Sequence, residues 1–207
     1  TILGLNGERA YRQAVVSGES TLVEFEFPAE GVFQPKKVWL NTRLNLTQAR
    51  AEQEKNLAST GTSNFSPAKM DLKINALGAD SVRVRVEHHF SRPDTGAVAN
   101  PLGFDLTNRF WVVDSPSDWP TGLDLQGSVF YDGRGQQDQL DTELFAATGP
   151  DEGSVKILYR PGAGHPWTEW TDVVKNTLGS TPDRWGQFRI NHLQPGEYTV
   201  AKGGISS

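Results

Sequence analysis

The chain has 207 residues, a formal net charge of −5 and no cysteine. This composition excludes a disulfide framework, a thiolate nucleophile and Cys-ligated zinc, and its acidic balance disfavours a nucleic-acid partner, which calls for a basic face. No apolar run is long enough for a membrane span. The sequence starts at Thr1 without a basic and apolar leader, which predicts a piece cut from a longer polypeptide.

Period-two alternation predicts strands early in the chain. Residues 21–27 alternate β-branched and aromatic side chains with polar ones, and Lys37–Asn41 is a second short candidate strand. Residues 45–55 are polar almost all round, so they predict a short surface helix or a loop.

The clearest strands come next. Residues 70–75 and 81–90 alternate strictly and are separated by Gly78, Ala79 and Asp80, a turn that predicts an antiparallel hairpin. On the second strand the valines share one face with His88, whereas the arginines share the opposite face with His89.

Strand patterns restart after a Gly- and Pro-rich loop at 91–108. The candidate strands are 109–113, 123–131, 154–160, 187–190 and 197–201. Frequent strands, Gly/Pro turns and little helix predict an all-β protein. We expect two antiparallel β-sandwich subdomains of immunoglobulin- or fibronectin-like type, spanning residues 1–91 and 92–207.

The histidines do not form a catalytic or metal-binding pattern. His88 and His89 are adjacent on a predicted strand, so their side chains point to opposite faces and cannot converge on one ion. We expect His88 in the core with its ring hydrogen-bonded, and His89 on the polar face beside Arg83 or Arg85. Since neither His-Glu-x-x-His nor Gly-x-Ser-x-Gly occurs, no catalytic, cofactor-binding or metal-ligating residue is predicted.

Acidic residues cluster at Asp132, Asp138, Asp141 and Glu143. One interpretation is a calcium loop, because flexible oxygen ligands suit that cation. The other is a solvated hairpin loop, which the absence of EF-hand spacing favours.

Three tryptophans in Pro- and Gly-rich segments, Trp119, Trp167 and Trp185, are candidate ligand-facing aromatics. Exposed, they would stack on sugar rings, as in a carbohydrate-binding module. The alternative is that they close the ends of a sandwich core.

Several ordered motifs carry a resemblance. They are Val-Arg-Val-Arg-Val-Glu-His-His-Phe at 82–90, Phe-Trp-Val-Val-Asp at 110–114, Phe-Tyr-Asp-Gly-Arg at 130–134, Val-Lys-Ile-Leu-Tyr-Arg-Pro at 155–161, Trp-Thr-Glu-Trp at 167–170 and Leu-Gln-Pro-Gly-Glu-Tyr-Thr at 193–199. In this order the segment 80–202 resembles the non-catalytic C-terminal region of secreted bacterial aminopeptidase N-like zinc metallopeptidases, whereas residues 1–75 match only loosely.

The resemblance implies an accessory β-rich region of a secreted or cell-surface protein from a Gram-negative bacterium. Zinc and the catalytic helix would belong to an upstream peptidase domain of the same polypeptide, which becomes the expected partner alongside a protein or glycan surface. We therefore expect a non-enzymatic accessory module. A carbohydrate-binding module is the alternative, and an independent hydrolase is a third class.

Overall fold

The computed structural model describes residues 2–4, 9–10, 35–38, 50–93, 103–134, 140–146, 152–179 and 184–203. Contacts divide the chain into two compact units, Thr1–Gln48 and Ala49–Ser207. In the first unit, strands β1 (Ile2–Gly4), β2 (Arg9–Ala10) and β3 (Pro35–Val38) form an antiparallel sheet with β1 at its centre. The strand predicted at 37–41 overlaps β3, whereas the one predicted at 21–27 lies outside the described residues.

The second unit is built almost entirely of antiparallel strands. In chain order its strands are β4 (Arg50–Leu57), β5 (Gly61–Phe65), β6 (Met70–Ala76), β7 (Val82–His89), β8 (Phe104–Leu106), β9 (Phe110–Asp114), β10 (Asp124–Asp132), β11 (Val155–Arg160), β12 (Thr168–Glu169), β13 (Val173–Thr177), β14 (Trp185–Ile190) and β15 (Gly196–Gly203). A 3₁₀ turn at Ser66–Ala68 follows β5, and a short helix α1 (Thr142–Ala146) follows β10. The predicted all-β class is confirmed.

The strands of this unit form two sheets. The five-stranded sheet has the order β13-β14-β10-β6-β5. The seven-stranded sheet has the order β12-β11-β15-β9-β7-β4, with β8 pairing to β15. Both sheets contribute to one buried cluster, with Leu72 and Phe188 from the first and Val84 and Trp111 from the second. The unit is therefore a β-sandwich in which one core lies between the two sheets.

Strands from both predicted subdomains share these sheets. β6 pairs with β10 and β7 pairs with β9, so the ladders cross the boundary predicted between Ser91 and Arg92. The contacts place the division between Gln48 and Ala49 instead. The loop that suggested a boundary connects strands of the same sandwich.

The helix or loop predicted over 45–55 is wrong for its described residues, which belong to β4. This edge strand pairs with β7 from Arg50 opposite His89 to Leu57 opposite Val82. Three of its charged side chains have partners on β7, since Arg50 pairs with Glu87, Glu52 with Arg85 and Glu54 with Arg83. Cross-strand pairing of opposite charges stabilises a strand whose polar composition otherwise favours a helix or loop.

The hairpin predicted for β6 and β7 is also wrong. Each strand has the expected alternation, but they lie in opposite sheets. The turn at Gly78, which has a φ of +68°, carries the chain from one sheet to the other. Both strands direct apolar side chains into the same core, such as Leu72 and Val84, so the alternation alone does not distinguish a hairpin from a crossover.

Gly186 in β14 provides a first test of core packing. A methyl group at its Cβ position would lie 2.3 Å from the Tyr131 hydroxyl oxygen, and this buried ring is held by its hydrogen bond to Glu152. We expect Gly186→Ala to lower the free energy of unfolding by about 1–3 kcal/mol, because the ring has to move. Gly162→Ala is the control, since no atom lies within 4 Å of its Cβ position. Equal urea midpoints for the two variants would contradict this expectation.

Among the described residues, no helix is both long enough and apolar enough to cross a membrane.

Candidate functional site

The outer surface of the five-stranded sheet carries the candidate site. Along β10, Val129 and Tyr131 are fully buried in the core. Because successive side chains of a strand point to opposite faces, Ser128, Phe130 and Asp132 lie on the outer face. An aromatic ring therefore stands between two polar side chains on the solvent side of the central strand.

The strand register aligns polar side chains beside this ring. Asn64 of β5, Asp71 of β6 and Ser128 of β10 are consecutive partners across the sheet. Side chains directly opposite each other in such a ladder have Cβ atoms about 4.5–5.5 Å apart. Lys69 lies in the turn before β6, where its backbone N–H donates to the carbonyl oxygen of Ser66.

These residues enclose a cleft of about 390 Å³. Phe130 and Trp185 supply its aromatic side chains. Its polar lining comes from β5, β6, β10 and neighbouring turns, and includes Asn64, Ser66, Lys69, Asp71, Arg109, Ser128, Asp132 and Asp141. Aromatic and polar groups thus converge in one concave surface, which is the usual composition of a ligand site.

A buried ion pair contributes to the lining of the cleft. Arg109 donates from Nε to Oδ1 of Asp141 at 2.8 Å and from Nη2 to Oδ2 at 2.6 Å. Asp141 also accepts hydrogen bonds from the Thr107 hydroxyl and the Asp132 backbone N–H. Arg109 donates in addition to the carbonyl oxygen of Phe130 at 2.6 Å. The pair therefore connects three segments and fixes the backbone beneath the Phe130 ring.

Trp185 lies at the start of β14 and is half-buried. The guanidinium carbon of Arg134 lies 4.3 Å from the centroid of its ring, within cation–π distance. Asp132 holds this arginine through two hydrogen bonds, at 3.0 Å to Nε and 2.8 Å to Nη2. Trp185, which the sequence had suggested as a ligand-facing aromatic, therefore lines the cleft, and Arg134 lies over its ring.

The other two candidate tryptophans lie elsewhere. Trp167 is buried in a second core cluster with Leu158 and Phe104, and the Arg160 guanidinium carbon is 4.4 Å from its ring centroid. Trp119 is half-buried and packs against the main core. Neither residue lines the cleft. These positions match the alternative interpretation that tryptophans close the sandwich core.

His88 is fully buried, as expected, but its environment differs from the predicted one. Its ring stacks on Trp111 with centroids 4.7 Å apart and touches Phe90 at 4.3 Å. Within the described part of the chain neither ring nitrogen has a hydrogen-bond partner, so the expected hydrogen bond is absent there. Burial, reinforced by the positive charges of Arg109 and Lys69, lowers the pKa of His88 to about 3.

His89 points to the opposite face from His88, as predicted. Its Nε2 lies 2.9 Å from Oε2 of Glu87, and its ring stacks on Phe110. Glu87 also pairs with Arg85 at 2.8 Å, so His89 belongs to a charged network on this face. Although burial opposes it, the hydrogen bond from His89 and the charges of Arg85 and Arg50 lower the pKa of Glu87.

The acidic residues considered for calcium are engaged in separate contacts where they are described. Asp141 binds Arg109, Asp132 binds Arg134, and Glu143 accepts from the backbone N–H of Asn108. Asp138 lies outside the described residues. No group of three or more His, Asp or Glu side chains able to hold a metal ion occurs within the described ranges.

One exposed histidine lies beside a carboxylate. His192 Nδ1 is 2.6 Å from Oδ2 of Asp172, and this hydrogen bond is the main cause of the raised pKa of His192. Hydrogen bonds from Asn191 and His192 lower the pKa of Asp172. The pair lies on the open surface and does not line the cleft.

Sequence reasoning missed Phe130, which is 44% exposed and is the central aromatic of the cleft. The signal was present in the alternation of residues 123–131, where the buried positions are Leu125, Val129 and Tyr131. That register leaves Phe130 on the solvent side. An aromatic residue out of phase with the core is therefore a sequence signal for an exposed ring on the face of a sheet.

Comparisons of the chain with protein-family models, curated proteins and solved structures gave no match. A function for this chain therefore has to be inferred from its own residues.

Proposed function

We propose that the sandwich is a non-catalytic accessory module that binds a partner through the cleft on its five-stranded sheet. The observation that carries this proposal is the exposed Phe130 ring, set among Asp71, Ser128 and Lys69 on one concave surface. A concave surface that combines aromatic rings with a few polar groups is typical of a ligand site.

The buried ion pair in the lining is engaged within the protein. Asp141 accepts hydrogen bonds on both carboxylate oxygens, and Arg109 donates from Nε and Nη2 to Asp141 and from Nη2 to the backbone of Phe130. A general base needs a free lone pair within reach of the substrate proton. These two buried groups therefore act as scaffold for the cleft.

The larger protein is part of the same proposal. The resemblance of residues 80–202 supports a module attached to a secreted or cell-surface zinc metallopeptidase from a Gram-negative bacterium, with zinc confined to an upstream domain. Reading the coding sequence upstream of Thr1 tests this. A His-Glu-x-x-His helix encoded there supports the parent enzyme, and an open reading frame lacking one overturns it.

Carbohydrate binding is the second candidate. It is favoured by the presence of two aromatic rings, Phe130 and Trp185, in a cleft that also contains hydroxyl, amide and carboxylate groups. Trp185 was a sequence candidate for this role.

An adsorption assay tests the binding function without assuming a ligand class. The intact chain is mixed with insoluble polysaccharide and with immobilised protein, and the retained fraction is measured. We expect Phe130→Ala to lower retention about tenfold and Val174→Ala to leave it unchanged. Val174 is the matched control because it is 47% exposed on the same sheet, on β13, and does not line the cleft. Equal retention of both variants would argue against the cleft.

Turnover is measured in parallel with peptide and glycoside substrates, with and without added Zn²⁺. We expect no turnover of either substrate. Hydrolysis that survives purification and disappears with a cleft substitution would overturn the accessory role.

A further inference from the structure

We infer that the cleft binds a neutral, hydroxyl-rich saccharide whose ring stacks on Phe130 and whose hydroxyls form hydrogen bonds with Asp71, Ser128 and Lys69. This inference rests on the proposed binding function and names the ligand class of the same site.

The positive and negative side chains of the cleft balance each other, which favours a neutral ligand. Arg109 is neutralised by Asp141 at 2.6 Å, and Arg134 by Asp132 at 2.8 Å. The remaining charged side chains of its described lining are Lys69 and Asp71, one of each sign. An anionic polymer gains little from such a balanced surface, since its affinity depends on unpaired Lys or Arg.

The polar groups of the cleft match a polyol. Among the described residues, the side chains of Lys69, Asp71 and Ser128 have no hydrogen-bond or ion-pair partner within the protein, so all three are available to a ligand. Asp71 accepts, Lys69 donates, and the Ser128 hydroxyl does both. The paired register of Asp71 and Ser128 puts acceptor and donor side by side, at a spacing of about 5 Å between Cβ atoms. Neighbouring hydroxyls of a sugar ring present donors and acceptors in the same alternation.

Phe130, rather than Trp185, supplies the open platform. Phe130 is 44% exposed, and its backbone is fixed by the hydrogen bond from Arg109 to its carbonyl oxygen. The Trp185 ring already has Arg134 against it. A rigid aromatic ring binds at little entropic cost, because two torsions define its orientation. The cleft volume of about 390 Å³ is at the small end of the range for ligand sites, which suits a mono- or disaccharide.

The test is a titration followed by isothermal calorimetry and amide NMR shifts. The intact chain is titrated with neutral oligosaccharides (cello-, xylo- and manno-oligosaccharides), with an acidic oligogalacturonate and with a neutral peptide of similar mass. We expect the neutral saccharides to bind and to shift amide signals around Phe130 and Asp71. Phe130→Ala and Asp71→Ala should each weaken binding about tenfold or more, whereas Val174→Ala should bind like the unaltered chain. All three positions lie on the outer face, and unchanged thermal midpoints show that the variants are folded.

The remaining outcomes separate this inference from the proposed function. If the peptide or the acidic oligosaccharide binds in a Phe130-dependent way and no neutral saccharide does, the ligand class is overturned and the binding function stands. If neutral saccharides bind equally to the Phe130→Ala and Val174→Ala variants, the assigned site is overturned. If no probe binds the folded chain at millimolar concentration, the saccharide inference fails. If, in addition, the Phe130→Ala variant is retained as well as the unaltered chain in the adsorption assay, the proposed binding function fails too.

Discussion

Asp141→Asn is expected to lower the free energy of unfolding by about 3–5 kcal/mol, the typical effect of removing one partner from a buried ion pair. The amide has the shape of the carboxylate but leaves the Arg109 guanidinium buried without a counter-charge. Both residues are almost completely buried, with Asp141 at 0% exposure and Arg109 at 4%. The carboxylate also accepts from Thr107 and from the backbone of Asp132, so the substitution disturbs a connected network. Urea unfolding followed by tryptophan fluorescence measures the loss.

An exposed ion pair provides the control for this prediction. Lys156 and Glu169 lie 2.9 Å apart with side chains 40% and 36% exposed. Glu169→Gln should cost at most about 1 kcal/mol, because water already screens this pair. If Asp141→Asn and Glu169→Gln cost the same, the buried pair does not anchor the cleft. The double replacement of Arg109 by Met and Asp141 by Leu should recover only part of the loss, because it leaves no buried charge unpaired but removes the acceptor of the Thr107 hydroxyl and of the Asp132 N–H.

The strands that could be predicted from sequence are those whose alternation reflects a buried face. The pattern of residues 81–90 predicted β7 to within a residue at each end, because its valines are buried against the core. The pattern of residues 123–131 predicted β10 equally well, with both ends shifted by one residue. A strand with one face in the core contains its own signal in the sequence.

Other strands carry no such signal. β4 has side chains of intermediate burial along most of its length, and it is held by pairing with β7 rather than by an apolar face. β5 and β13 are edge strands of the five-stranded sheet and are rich in polar side chains. β4 pairs with β7, which is not adjacent to it in the chain, whereas β5 and β13 each pair with the next strand, β6 and β14. These strands are held by their neighbours rather than by an apolar face of their own, so a local alternation pattern does not reveal them.

Predicting the cleft from sequence would have required long-range information, namely which strands are neighbours in the sheet. Asn64, Asp71 and Ser128 belong to three strands, and only the sheet register makes them neighbours. Asp141 and Arg109 are likewise distant in sequence, so an acidic cluster around Asp132 gave no indication that one member is neutralised by an arginine. The residue types were visible in sequence, but their partners were not.

His88 is expected to make the sandwich acid-sensitive between pH 6.5 and pH 4.5. Its pKa is about 3 in the folded protein, against 6.5 for an ordinary histidine, so the unfolded chain binds more protons as the pH falls. The stability due to its neutral form is complete above pH 6.5 and is lost on acidification at up to about 1.4 kcal/mol per pH unit. Over this window the free energy of unfolding should fall by about 2–3 kcal/mol, measured by urea titrations at fixed pH.

The other shifted groups act outside this window or with the opposite sign. Glu87 has a lowered pKa, so its contribution is present above pH 4.5 and declines only below it. His192 has a raised pKa, so its contribution is already complete below pH 6.5 and declines as the pH rises. The slope between pH 6.5 and pH 4.5 therefore reports mainly on His88.

His88→Leu should flatten this slope, because leucine has no proton to bind, whatever its effect on absolute stability. His88→Phe should flatten the slope in the same way while it keeps an aromatic ring stacked on Trp111. Agreement between the two variants would show that the flattening does not come from altered packing at Trp111. His165→Gln is the control, since it removes an exposed histidine and should leave the slope unchanged. A slope that persists in both His88 variants would mean that the buried imidazole is not the group that couples protons to folding.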